Sequence, residues 1–149
     1  IASLATLPHL FWKPDVIICN DWQNATVPMI YNQVYRFREF YEDIKTVLIV
    51  HNFDEHCTYN RSVYDKIGIS IPKKITGDKV NCYEAAADDV DLIISLDSPS
   101  NNITKKLLDL PQVRSNKKKL ISIKIEDGED PSFDNTALKI NDELAKHFA

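Results

Sequence analysis

Two short runs of β-branched and aliphatic residues mark the first third of the chain, and each stops at a block of polar residues. Val16-Ile17-Ile18-Cys19 ends in Asn20-Asp21-Trp22-Gln23, and Thr46-Val47-Leu48-Ile49-Val50 ends in His51-Asn52. Neither run alternates, which suits strands buried on both faces, as in parallel sheets covered by helices. Between them Val27, Ile30, Tyr31, Val34 and Phe37 recur at three- and four-residue steps. That is the stripe of an amphipathic helix beginning near Ala25 or Thr26, with Pro28 tolerated in its first turn. Strand, helix, strand at this spacing predicts one right-handed βαβ unit.

The pattern extends in both directions. Leu4, Leu7, Leu10 and Phe11 fall near helical spacing, so residues 1–12 predict the tail of a helix that Pro14 stops. Val63, Tyr64 and Ile67 predict a short helix closed by Gly68. A longer helix is expected from Lys79 to Asp89, and another after Ser98-Pro99 as its cap, burying Ile103, Leu107 and Leu110. Asp91–Leu96 reads as a third buried strand, and Lys119–Ile125 as a fourth, whose alternation places it nearer an edge. An acidic turn over Glu126–Pro131 precedes a last helix, Thr136–Phe148, with Leu138, Leu144 and Phe148 in a loose stripe. The fold class is α/β: a Rossmann-like parallel sheet of at least four strands with flanking helices, in a single domain over residues 1–149. Ligands of such sheets bind beyond the carboxyl ends of the strands. Asn20-Asp21-Trp22-Gln23 and His51-Asn52 therefore share one rim.

Composition narrows the function classes. With 149 residues, 44% hydrophobic and 27% charged, the chain can bury a proper core. A net charge of −4 gives no general affinity for nucleic acid or acidic membrane, and Lys117-Lys118-Lys119 reads as a solvated loop. Cys19, Cys57 and Cys82 are odd in number and widely spaced, as reduced thiols are. No CxxC or His-rich pair offers a metal site, and no apolar run approaches a membrane span. The first residue is Ile1, from which a truncated piece of a longer protein is expected. Glu55, His56 and Cys57 could suggest a metal or a Cys–His nucleophile, but the expectation is a mobile loop. Tyr35, Phe37, Phe40 and Tyr41 are expected to pack, since no basic groove accompanies them. Asp97-Ser98 reads as a helix cap on the functional rim. Asp21-Trp22 admits two readings: a cap and a core wedge, or a cleft lining.

Residues 13–28, KPDVIICNDWQNATVP, resemble the KPDVVHAHDWQTGLVP signature of glycogen and starch synthases, and KTVLIVHN at 45–52 resembles their KTVFTIHN. Order and approximate separation agree. Asp88 to Pro99 is similar to the family's ADRVVTVSPTYA turn with about one extra residue, and Lys119 to Asp130 is more distantly similar to KLVGILNGID. The likeness covers most of residues 1–130.

The resemblance implies part of the N-terminal domain of a retaining GT-B glucosyltransferase. Such an enzyme transfers glucose from ADP-glucose, or UDP-glucose, to the non-reducing end of an α-1,4-glucan, without a metal or other cofactor. By motif match, His51 is the catalytic residue beside the transferred glucose, with Asp21, Trp22, Gln23 and Asn52 binding substrate. The implied partners are the glucan, the sugar nucleotide and a second GT-B domain; nucleic acid and membrane are not among them. The implied location is cytoplasmic, or plastidic in a plant or alga. Departures accompany the likeness. The family's Lys-Thr-Gly-Gly-Leu loop is absent from this sequence, and Phe53-Asp54-Glu55-His56-Cys57 stands where Leu-Ala-Tyr-Gln-Gly is common. Three glycines are few for a phosphate-handling domain. The isolated chain is expected to be inactive. The alternative is a divergent, non-catalytic Rossmann-like domain that binds glucan or a protein partner.

Overall fold

The computed structural model describes residues 2–126 and 133–148. Ala2–Thr6 (α1) runs into a tight turn over Leu7–Leu10 that buries Leu4 and Leu7 and leaves Leu10, Phe11 and Trp12 in solvent. The turn ends at Phe11, whose backbone is left-handed (φ 51). This reversal stops the helix before Pro14 is reached, which corrects the expectation that proline does so.

Val16–Asn20 (β1) follows, then Asp21–Asn24 (α2) and Thr26–Ile30 (α3). Beyond Ile30 the helix widens into a π-turn over Tyr31–Tyr35. A π-turn advances the face of a helix, so the predicted stripe breaks there. Tyr31 and Tyr35 are buried, whereas Phe37 is 81% exposed. Tyr41 is buried and Phe40 packs against the core, as expected of them; Phe37 does not.

The remaining elements are Lys45–Val50 (β2), Thr58–Asn60 (β3), Arg61–Lys66 (α4), Lys79–Asn81 (β4), Cys82–Ala86 (α5) and Leu92–Asp97 (β5). Ile103–Asp109 (α6), Pro111–Ser115 (α7), Leu120–Lys124 (β6) and Phe133–Phe148 (α8) complete the described chain. The sheet is parallel in the order β1-β2-β5-β6, so β6 lies at an edge, as its alternation predicts. Its register sets Cys19 beside Leu48 and Ile49 beside Ile94.

Both faces of the sheet are covered, which is why β2 and β5 read as unbroken apolar runs. Leu48, Val50 and Ile93 join the larger core with Met29, Tyr31, Tyr83, Ile103 and Leu107. Val47, Ile49, Leu92, Ile94 and Ile123 face the other way, under Ile140, Leu144 and Phe148 of α8. Each such side chain, once buried, is worth about 1.5–3 kcal/mol. At the amino ends of the central strands, Asp91 Oδ2 accepts from the Thr46 backbone (2.8 Å) and hydroxyl (3.2 Å), satisfying a buried threonine.

Three further expectations need correction. The segment from Lys79 to Asp89 is not one helix: residues 79–81 pair antiparallel with β3, and Asn81 caps α5 by accepting from Tyr83 N and Glu84 N. Val80 is buried on the strand, and its apolar position alone suits strand and helix equally. Ser98 does not cap α6; Ser98 and Asn101 exchange backbone hydrogen bonds, and Asn102 caps by accepting from Lys105 N at 2.7 Å. Leu138 is 64% exposed, and the buried stripe of α8 runs through Ile140, Leu144 and Phe148 instead. Gly68 does close α4, with φ +72. The acidic turn lies outside the described residues from Asp127 onward.

Candidate active site

β1 and β2 are parallel neighbours, so their carboxyl ends open on one side, and the first residue past β1 reaches the first residues past β2. Asp21 is that residue. Its backbone is left-handed (φ 51), a conformation that Asp tolerates because its short polar side chain can bond locally. It is 4% exposed, and each of its carboxylate oxygens is engaged. Oδ1 accepts from the backbone N–H of His51 (2.9 Å) and of Asn52 (3.0 Å), and from the Tyr83 hydroxyl (3.5 Å). Oδ2 lies 2.6 Å from His51 Nδ1.

A carboxylate can only accept, so this contact assigns the Nδ1 proton to His51. Nε2 is left as the imidazole's working nitrogen: an acceptor when the ring is neutral, a donor when it is charged. The His51 side chain is 57% exposed, so the ring is held from below and open above. Asp21 thus orients His51 and fixes the backbone that carries it. It does not cap α2, whose cap residue is Asn20, so the capping reading of Asp21 fails.

Asn52 is bound on three sides. Its carbonyl accepts from the Tyr83 hydroxyl at 2.8 Å, its amide meets Asp21, and its Nδ2 donates to Asp54 Oδ2 at 3.0 Å. Asp54 caps the short turn Glu55–Cys57 by accepting from His56 N at 2.8 Å. The segment expected to be a mobile loop is thus a capped turn. Trp22 is half-buried: its ring packs near His56 (centroids 5.8 Å apart, planes 31°) and Tyr59 (6.4 Å). Its carbonyl accepts from the Tyr59 hydroxyl at 3.3 Å. It joins the edge of the main core, as the wedge reading expects. Gln23 is exposed on α2 and makes no hydrogen bond to Asp21, His51 or Asn52 among the described residues.

Asp21, His51 and Asn52 are therefore brought together, Trp22 lies beside them, and Gln23 stands apart. Tyr83 is the member that sequence reading missed. It fits the apolar stripe of a helix, and nothing in its neighbours signals a hydroxyl aimed at a strand end. Burial, followed by its hydrogen bond with Cys57 and the Asp21 charge, pushes its pKa up, so it remains a hydrogen-bond donor.

A second polar cluster sits at the ends of β5 and β6. Asp97 accepts from Thr104 N (2.8 Å), the Thr104 hydroxyl and the Ser122 hydroxyl (2.6 Å), and Ser95 and Thr104 share a hydroxyl contact of 2.6 Å. Burial works against ionisation of Asp97, but these donors outweigh it and hold its pKa below the ordinary value. Asp97 is thus a true helix-end anchor on the rim, as half of the Asp97-Ser98 expectation had it. Among the described residues no three His, Cys, Asp or Glu side chains converge as a metal site.

A family model described as the starch synthase catalytic domain matches residues 1–100. The chain belongs to that family. The glycogen synthase of Chlorobium phaeobacteroides is 33% identical over 99 residues, covering 62% of this chain and 20% of that protein. The glycogen synthase of Lachnospira eligens is 34% identical over 86 residues, covering 57% of this chain and 18% of that protein. The chain thus spans about a fifth of the length of these glycogen synthases. The solved catalytic domain of starch synthase IV from Arabidopsis thaliana, bound to ADP and acarbose, superposes with a TM-score of 0.65 at 23% identity. That match covers 82% of this chain and 27% of the other, and establishes a common fold. β6 and α8 lie beyond the family match.

Proposed function

We propose that this chain forms one wall of the cleft of a glycogen or starch synthase, a retaining glucosyltransferase that uses ADP-glucose or UDP-glucose to extend an α-1,4-glucan. The observation that carries the reading is the Asp21–His51 contact at 2.6 Å, with the His51 and Asn52 amides held by the same carboxylate. Glucosyl transfer breaks the bond from the anomeric carbon to the diphosphate and forms one to an acceptor hydroxyl, through a state with positive character on the sugar. Such a state is served by fixed dipoles that need no reorganisation during reaction. His51 is held that way, with Nε2 free to hydrogen-bond the transferred glucose. Asn52 and Trp22 offer a polar edge and a flat apolar face beside it. A second GT-B domain would bring the groups that meet the diphosphate, so the isolated chain would not turn over. The small share of its relatives' length that the chain spans agrees with this. No metal or other cofactor enters the proposed chemistry.

The test is incorporation of labelled glucose into glycogen by the full-length protein, with ADP-glucose and UDP-glucose compared as donors. His51→Ala and Asp21→Asn should each lower kcat by about 100-fold or more, the scale of losing one preorganised polar group at the transition state. Turnover that survives both changes would overturn the assignment. Retention of the full-length protein on glycogen with neither donor consumed would favour the non-catalytic binding domain.

A further inference from the structure

Beneath the His51-Asn52 segment lies the antiparallel ribbon of β3 and β4, which pairs Thr58 with Asn81, Tyr59 with Val80 and Asn60 with Lys79. One further step of that register sets Cys57 opposite Cys82, immediately before β3 and immediately after β4. Both side chains are fully buried, and each thiol is the largest influence on the other's acidity. Directly opposed residues of an antiparallel pair have Cα atoms about 4.5–5.5 Å apart, inside the range of about 4.4–6.8 Å that a disulfide spans, and Cys57 and Cys82 each stand one residue beyond the last such pair, Thr58–Asn81. Two thiols placed at random in a core do not meet in this way. Cys19, in β1, lies apart from the ribbon in apolar surroundings, and burial pushes its pKa up to about 12.

The pair is also wired to the site above it. Cys57 Sγ lies 3.9 Å from the Asn52 carbonyl and 4.0 Å from Asp54 Oδ1. Tyr83, next to Cys82, donates to that same carbonyl at 2.8 Å. Neither thiol has a part in the proposed glucosyl transfer, and no third ligand stands near enough to make the pair a metal site among the described residues.

We propose that Cys57 and Cys82 form a reversible disulfide, a modification site at the root of the segment that carries His51 and Asn52. Cys57 is the attacking sulfur. The neighbouring Cys82 thiol favours the Cys57 thiolate against the opposing effect of burial, whereas the Cys57 thiol and burial hold Cys82 protonated. The oxidant is a peroxide. The Cys57 thiolate attacks one peroxide oxygen, the O–O bond breaks, and the departing hydroxide takes up the proton that the thiol had released, leaving as water and giving a sulfenic acid. The Cys82 sulfur then attacks Cys57 Sγ, the S–O bond breaks, the S–S bond forms, and the Cys82 proton leaves with the second water. The two sulfurs lose two electrons and the peroxide gains them. A dithiol reductant reverses the change by exchange. Access comes by opening the turn Glu55–Cys57, whose first two residues are exposed.

The experiment treats the 149-residue chain with hydrogen peroxide, alkylates it in denaturant and maps its peptides. The expected result is a monomer lighter by two hydrogens, with the Cys57 and Cys82 peptides joined and Cys19 alone alkylated. Dithiothreitol should restore all three thiols. The oxidised chain should melt higher by about 5 °C or more, because the cross-link closes a loop of about 25 residues. Cys57→Ser and Cys82→Ser should each abolish the cross-link and the shift. Three free thiols after peroxide, a sulfinic acid on Cys57 without a cross-link, or bonds that involve Cys19 or a second molecule would overturn the proposal.

Discussion

The two halves of the rim each place an aspartate at the end of a strand, and they use it in opposite ways. Asp97, the last residue of β5, spends its carboxylate on Thr104 and Ser122, groups of its own scaffold that make no further contact with a ligand-facing ring. Asp21, after β1, spends its carboxylate on the neighbouring strand end and passes one oxygen to a half-exposed imidazole. The first is an anchor that terminates in the fold. The second is an anchor that terminates in a usable nitrogen. A charged residue at a strand end therefore says little by itself; what it holds, and whether that group is open to solvent, decides its meaning.

Substitutions should separate the two. The largest effect is expected of Asp21→Ala, which leaves the His51 and Asn52 amides without their acceptor and puts alanine into a left-handed backbone. The loss should be about 3 kcal/mol of stability, read from urea unfolding. Asp97→Ala should cost about 1–2 kcal/mol, and the His51 ring resonances should stay where they are. If Asp97→Ala moves those resonances as far as Asp21→Asn does, the halves of the rim are one network and the contrast collapses.

Acid offers a second test. Hydrogen bonds hold the folded pKa of Asp97 below its ordinary value of 3.8, so its contribution is fully present above that value and is lost as pH falls through the folded pKa. The stability gap between wild type and Asp97→Asn should be constant near neutrality and close below about pH 4. The smallest effect is expected of His51→Ala. Its ring is mostly exposed, so stability should change by about 0.5 kcal/mol at most, while the proposed activity is lost. A large stability loss at His51 would instead make that residue an anchor like Asp97.

The sheet was legible because its central strands are buried on both faces and so leave no alternation. The rim was legible because each run ends abruptly in polar residues. What the chain hid were features that satisfy two patterns at once. Lys79-Val80-Asn81 suits a helix or a strand, and only pairing with Thr58-Tyr59-Asn60 decides between them. Asn102 could not be preferred to Ser98 as a cap, because the backbone exchange between Ser98 and Asn101 depends on where β5 ends. The π-turn at Tyr31–Tyr35 breaks a stripe that looks continuous on paper, which is why Phe37 was misplaced. Tyr83 looked like core and is core, except for one oxygen atom.

That oxygen changes what a search for similar sites should look for. The Asp-Trp pair and the His-Asn pair are each short enough to occur by chance. The Asp21 carboxylate ties together residues 30 and 62 positions further on, His51 and Tyr83. The informative signature is thus a three-point pattern across a βα unit and the hairpin that follows. A sequence that keeps Asp and His but has phenylalanine at the third point would carry the motif with the carbonyl at the Asn52 position without its hydroxyl donor.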